Sequence, residues 1–495
     1  MMQAIFQGHP RRGAIALAVA CSLTMLAGCA VGPDYVRPTT TLPANYTAEP
    51  LAANEGQALV TAQDIPAQWW ELFHSAELNT LVESSLQRNP SINAAQATLR
   101  GALESVYAQQ GAFYPTVDAS FSPSRQKVAG VLASPLASND YYYNLHTAQV
   151  TVSYGPDLWG GNRRQVESLK AQAESQRFQL EATRLTLSSN VANAVIQEAA
   201  LRGQIKATRE IIETQVKLLA MLNKQLQLGQ VAVADVAAQE AALAVAEQGL
   251  PALEKQLAVQ RDLLTALAGR YPDEGSSPSF ELADLQLPAS LPLTLPSTLV
   301  ERRPDVRAAE ELLHAASADI GVAVANRLPS LTLGVNAYGS SANSLSDLFK
   351  SGTGFWTLAG NVTQPVFDGG TLKHRQAAAQ AAYDAAAAQY RSTVINAFQN
   401  VADALQAIHY DADAERKASA AEKAAKKSLV IARRQVELGD ISPMALLASE
   451  QSYQQARLAL VQAEAGRLSD TVALFQALGG GWWRSAAPVT SSGTR

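Results

Sequence analysis

The chain has 495 residues, 47% of them hydrophobic and only 17% charged, and a net charge of −5. That balance excludes a disordered chain, which needs low hydrophobicity and high charge, and offers no basic surface for nucleic acid. Two cysteines exclude a disulfide framework, and beyond the N-terminal segment no uncharged apolar run of about 18 residues marks a spanning helix.

Residues 1–28 read as a signal peptide. Arg11 and Arg12 precede an apolar stretch from Ala14 to Met25, too short to span a bilayer but suited to an export signal. It ends in Leu26-Ala27-Gly28-Cys29, which resembles the bacterial lipobox, where cleavage leaves the cysteine to carry lipid. An ordinary signal peptide with an incidental cysteine is the alternative; charge, length and box together favour lipidation of Cys29. Ala30 follows, where an aspartate in Gram-negative lipoproteins typically means retention at the inner membrane, so the outer membrane is expected.

Residues 29–88 form a lipidated N-terminal and equatorial segment, and the rest is written twice. Leu86-Gln-Arg-Asn-Pro90 matches Val300-Glu-Arg-Arg-Pro304, and Phe113-Tyr-Pro115 matches Arg327-Leu-Pro329, both at an offset of 214. Gly160-Gly161 matches Gly369-Gly370, Leu226-Gln-Leu-Gly229 matches Val436-Glu-Leu-Gly439, and Ala266-Leu-Ala-Gly269 matches Ala477-Leu-Gly-Gly480, at offsets of 209 to 211. Five matches in one order indicate tandem duplication: a first repeat over 89–270, a linker and equatorial region over 271–298, a second repeat over 299–481 and a flexible tail over 482–495.

Each repeat carries the same elements in the same order. A helix of about 20 residues is predicted near 90–112 and 304–326, with proline in its first turn. Two alternating segments follow. Ala148, Val150, Val152 and Tyr154 alternate with polar residues, as do Leu331, Leu333, Val335 and Ala337 with Thr332, Gly334 and Asn336, and Trp356, Leu358 and Val362; Val117, Ala119 and Phe121 are a weaker fourth case. This is strand period, about nine residues long, the length of a tilted membrane strand. Next come a very long helix (162–227 and 371–437), a glycine-marked turn and a helix of about 37 residues. Leu201, Ile205, Thr208, Ile212, Gln215, Leu219, Leu222 and Leu226 step by four and three, as do Leu458, Val461, Ala465, Leu468, Val472 and Phe475, a coiled-coil seam. Two hairpins give four strands, and a membrane barrel needs closure with at least about eight, so several chains must combine.

The motifs Cys29-Ala-Val-Gly-Pro-Asp-Tyr-Val-Arg-Pro38, Trp69-Trp70-Glu-Leu-Phe73, Glu301-Arg-Arg-Pro-Asp-Val-Arg307, Arg327-Leu-Pro329-Ser-Leu331 and Gln364-Pro-Val-Phe-Asp-Gly-Gly370 resemble the outer-membrane factor family, the TolC-like channels, in their lipoprotein branch. The resemblance implies a mainly α protein with a membrane β-barrel: a long helical coiled-coil barrel plus a 12-stranded oligomeric β-barrel with four strands per chain. It implies a homotrimer working with a periplasmic adaptor, an inner-membrane pump and outer-membrane lipid, passing small molecules such as drugs; a duct for type I protein secretion or a structural coiled-coil lipoprotein are the alternatives. Adaptor hairpins are then expected at the turns of Gly229 and Gly439, and acidic residues beyond them ring the aperture. Asp235 matches that arrangement in the first repeat, beside the plainer reading of a helix-start aspartate. In the second repeat Ala445 and Ala448 stand where acids are usual, and Asp440 is the substitute. Arg433 and Arg434 are the expected partners of Asp235. The six histidines lack metal-ligand spacing, and no nucleotide or nucleophile motif occurs; neither catalysis nor a cofactor is expected. Trp69-Trp70 and Trp482-Trp483 are expected to pack where irregular segments meet.

Overall fold

The computed structural model describes residues 30–38, 43, 45–47, 57–61, 64–129, 131, 140–274, 278–293 and 296–484. The signal peptide and Cys29 lie outside them. The chain divides into two compact units, one of residues 1–38, 100–175 and 310–389, the other of 39–99, 176–309 and 390–495.

The helices are α1 (Ala76–Arg88), α2 (Pro90–Gln110), α3 (Gly161–Gln227), α4 (Val233–Leu267), α5 (Pro296–Arg302), α6 (Pro304–Ala325), α7 (Thr371–Leu438) and α8 (Pro443–Ala477). The strands are β1 (Ala58–Thr61), β2 (Thr116–Lys127), β3 (Tyr142–Tyr154), β4 (Ser290–Leu293), β5 (Ser330–Ala342) and β6 (Gly354–Thr363). The helices and hairpins of both repeats thus fall where hydrophobic period places them.

The first unit holds an antiparallel four-stranded sheet in the order β2-β3-β5-β6. Its two outer strands belong to different repeats, and β3 joins the repeats by pairing with β5. Residues directly opposite share a face. Val117, Val152, Val335 and Leu358 line up across all four strands on one face, and Asp118, Thr151, Asn336 and Thr357 on the other. Ala337 stands out of the β3 ladder, because Thr151 pairs with Asn336 and Val150 with Tyr338. The segment Ala30–Pro38 lies along the same unit. The Val31 N–H donates to the Trp159 carbonyl at 3.0 Å, Arg164 reaches Asp34 at 2.6 Å, Arg37 reaches Glu310 at 2.8 Å, and Tyr35 stacks on His314 at 4.4 Å.

In the second unit the coiled-coil seams are mostly buried, with Leu201, Leu226 and Leu458 half-buried. Ile205, Thr208, Gln215 and Leu222 are buried on α3, with Ile211 and Leu218 taking more of the contact than the expected Ile212 and Leu219. On α8, Val461, Ala465, Leu468, Val472 and Phe475 are buried as expected. The repeated motif before α2 and α6 has a structural reason. Asn89 Nδ2 donates to the Leu267 carbonyl at the end of α4 (2.9 Å), and Arg303, its counterpart, donates to the Ala477 carbonyl at the end of α8 (3.0 Å). Each satisfies a helix-terminal carbonyl that has no partner in its own helix. Trp69 packs between Trp70 and Phe475, at 5.9 and 5.4 Å.

Three regions differ from expectation. Helix α1 forms inside the segment read as equatorial: Ser75 caps it, accepting from the Leu78 N–H, and Leu78, Leu81, Val82 and Ser85 form its buried stripe. The linker is part of the core, since Phe280, Leu285 and Leu291 are buried and β4 pairs in parallel with β1. The tail begins with a packed turn rather than a flexible one. Trp482 Nε1 donates to the Arg302 carbonyl (2.6 Å), and Arg484 pairs with Asp64 (2.7 Å).

Candidate functional site: the helical turns and the open sheet

The turn from α3 to α4 closes with two backbone bonds. The Gly229 N–H donates to the Leu226 carbonyl and the Gln230 N–H to that of Gln225, both at 2.9 Å. The second turn repeats them, Gly439 to Val436 at 3.1 Å and Asp440 to Gln435 at 2.8 Å. This closure needs a left-handed residue, and the glycines have φ of 73° and 79°. No atom lies within 4 Å of where a Cβ would stand on either, so both turns open to solvent. The structure brings the two turns together. Leu218, Leu222 and Val236 of one share a buried cluster with Leu429, Ala432, Val436 and Leu446 of the other, and Val231 and Ile441 pack against it.

The acidic residues differ. Asp235 is the third residue of α4, and its Oδ2 accepts from the Ala232 N–H at 3.1 Å. It satisfies a donor at the helix start, where negative charge also complements the dipole. Asp440 is exposed. In the second repeat Ser442 does the capping, accepting from the Ala445 N–H at 3.4 Å. The expected pairing of Asp235 with Arg433 and Arg434 is not formed. Arg433 reaches Glu450 at 3.6 Å, and Arg434 pairs with Glu437 three residues along its own helix at 2.9 Å. Sequence spacing fixed the level of these arginines on α7 but not the helix each one faces.

Glu450 itself was not foreseen. It is 5% exposed, and its Oε2 has no hydrogen-bond partner. Burial pushes its carboxyl above the usual carboxylate range, against the opposing pull of Arg433. It borders a cavity of about 220 Å³ with Ile211, Leu429, Arg433, Tyr453 and Arg457. Its sequence signal, one acid in a polar stretch of α8, is not distinctive.

The open sheet is the second feature. Val117, Phe121, Trp356, Leu358 and Val362 are exposed, and they belong to the apolar face. Among the described residues β2 pairs only with β3, and β6 only with β5, so two strand edges are left unpaired. Such edges demand a partner. No helix of the described residues is long and apolar enough to cross a membrane.

The sequence profile of the outer membrane efflux protein family matches residues 81–270 and 295–480. The pyoverdine export outer membrane protein OpmQ of Pseudomonas putida is 30% identical over 449 residues, covering 90% of this chain and 94% of that protein. The probable efflux pump outer membrane protein TtgC of Pseudomonas putida is 29% identical over 476 residues, 94% of this chain and 96% of that one. The solved structure of the outer-membrane channel OprN superposes with a TM-score of 0.83 at 27% identity, over 92% of this chain and 100% of that one.

Proposed function

The chain belongs to the outer membrane efflux protein family, and from that premise we propose that three copies close into one duct whose cargo is small molecules. As a member it resides in the outer membrane of a Gram-negative bacterium and extends into the periplasm, as the exit duct of a tripartite efflux system. The observation that carries the trimer is the open sheet. Four strands with one apolar face and two free edges cannot sit in lipid alone, because unpaired backbone groups have no water there. Three copies supply twelve strands, within the range of membrane barrels. Names such as pyoverdine export and efflux pump among the relatives support a small-molecule cargo.

The duct performs no chemistry; an inner-membrane pump supplies the energy, and a periplasmic adaptor docks on the turns at Gly229 and Gly439. Cys29 carries the lipid anchor. Support comes from the next residue: Ala30 lies against Gly160, between the end of β3 and the start of α3, the level at which a strand leaving lipid gives way to helix. Asp235 and Asp440 place carboxylates near the aperture. Three symmetry copies of Asp235 around a narrow pore would favour cations.

The experiment is purification in detergent with particle imaging, followed by planar-bilayer recording. A three-copy particle that conducts is expected; a single-copy particle would overturn the reading. For the gate, Asp235→Asn keeps an acceptor for the Ala232 N–H but removes the charge. Cation preference should fall. Unchanged conductance and selectivity would leave Asp235 as a helix-start residue alone.

A further inference from the structure

The cavity beside Glu450 is walled by three helices of one chain. α3 contributes Ile211, α7 contributes Leu429 and Arg433, and α8 contributes Glu450, Tyr453 and Arg457. Helical spacing gathers them. Leu429 and Arg433 are four residues apart, and Glu450, Tyr453 and Arg457 follow at steps of three and four, so each set shares one face of its helix. Glu450 lies about two turns into α8 and Arg457 about four. The cavity is therefore in the helical wall, above the turn at Gly439.

Its floor is apolar, since Ile211 and Leu429 are buried. Its charges are not balanced. Lys426, Arg433 and Arg457 border it with Glu210 and Glu450, and burial already biases the Glu450 carboxyl toward its neutral form. Arg433 reaches Glu450 at 3.6 Å. Among the described residues, neither Lys426 nor Arg457 forms an ion pair or a side-chain hydrogen bond. Arg457 is half-buried and acts on Glu464 through charge alone. Glu450 is 5% exposed, and its Oε2 has no partner, although buried polar atoms nearly always have one. An unpaired arginine and an unpartnered buried carboxyl thus border the same apolar floor.

We infer that this cavity binds a small aromatic monocarboxylate, its ring on Ile211 and Leu429 and its carboxylate on Arg457, with Glu450 beside it. The class follows from the lining. Three cations disfavour an organic amine. An inorganic anion would leave the apolar floor unused. The planar fork of arginine matches a carboxylate with two parallel bonds, and a protonated glutamate can donate to the same group. Size sets the rest. The volume is about 220 Å³, and a cavity of about 150 Å³ accepts benzene, so one ring with one carboxylate fits. The ligand would touch α3 of the first repeat and both α7 and α8 of the second, tying the repeats together. Every lining residue belongs to one chain, so the site does not depend on the multi-copy reading and goes beyond the duct.

The whole protein in detergent, titrated with 4-fluorobenzoate and followed by fluorine NMR, tests the site, with detergent alone as the blank. Saturable binding with a Kd on the order of 1 mM is expected. Unlabelled benzoate should displace the probe, and benzylamine should not. Arg457→Met should weaken binding about tenfold, the worth of one charge-assisted bond. Val430 borders the cavity and is 61% exposed, so Val430→Glu disturbs no core and should weaken binding at least as much. Glu450→Gln keeps a donor and should still bind. Circular dichroism checks that each variant keeps its helices. The site is overturned by no saturable binding above the blank, or by undiminished binding in Arg457→Met and Val430→Glu. It is equally overturned if benzylamine displaces the probe, or if acetate displaces it as well as benzoate does. None of these outcomes bears on the duct, which particle imaging decides separately.

Discussion

Asp470 of α8 lies beside Asp411 of α7. Burial, then the hydrogen bond and charge of Asp411, push its carboxyl up to about 7. The folded chain therefore favours the protonated form. The cost to stability builds as the pH rises from the ordinary carboxylate range to about 7 and levels off above it. Asp470→Asn removes the charge, so it should stabilise the protein by about 1 kcal/mol at pH 8, discounted for partial exposure. The gain should vanish near pH 4. Thermal unfolding followed by circular dichroism at both pH values measures it, and an equal gain at each would show that the carboxyl is not shifted. Glu450 offers a second test. Arg433→Met leaves its buried carboxylate without the nearby cation, and because the arginine is itself half-exposed the loss should be about 1 kcal/mol. The loss should shrink as the pH falls and the raised carboxyl takes up a proton, and Arg433→Met with Glu450→Gln should recover most of it. At this scale the sequence was least legible. The equivalence of Asn89 and Arg303 was visible as a repeated motif, but their shared task, capping the helix that ends some 170 residues later, was not. Arg433 and Arg434 were at the right height on α7, yet partner choice depends on which way each helix face turns, which one strand of sequence does not encode.

The turns behave as elements because their glycines are positioned by backbone, not by packing. With nothing within 4 Å of a Cβ, Gly229→Ala and Gly439→Ala carry only the strain of the left-handed conformation, about 1 kcal/mol each. Efflux should survive these changes. If the proposed docking on the turns holds, the same positions changed to Trp should raise the cells' sensitivity to exported compounds while the multi-copy particle persists, because the bulk is added on that surface. Full resistance with both tryptophans would remove the turns from the docking surface. The long helices and hairpins were legible because their apolar residues recur at fixed period. Helix α1 has the same kind of stripe, Leu78, Leu81, Val82 and Ser85, but over 13 residues and beside a tryptophan cluster it is overshadowed. The β1–β4 ladder pairs residues more than 230 positions apart over only four residues each, so no local pattern announces it. Phe280, Leu285 and Leu291 stand singly among prolines and serines, and burial of single residues has no period to read.

At the scale of the whole chain, the prediction is that Cys29→Ser abolishes acylation, read by palmitate labelling, while barrel insertion through the strands partly survives; unchanged labelling would end the lipobox assignment. The arm that follows Cys29 can be tested apart from the lipid. A Cβ on Gly321 would meet the Val31 carbonyl and the Arg164 side chain at 2.8 Å, closer than such atoms approach. Gly321→Val should therefore unseat residues 30–38 and expose them to limited proteolysis, mapped by mass spectrometry, with labelling at Cys29 intact. Protection equal to the unaltered protein would show that the arm is held elsewhere. The seat of this arm also dictates an order of events. Its contacts reach Arg164 in one repeat and Glu310, 273 positions from Arg37, in the other. A chain secreted from its N-terminus presents the arm first and the residues that receive it much later. Any lipid on Cys29 would then be attached while the arm is still unattached, and the arm could lock only after α6 has emerged and folded. Docking of residues 30–38 thus reports completion of the second half, so a chain truncated before residue 310 would leave that segment on a loose tether.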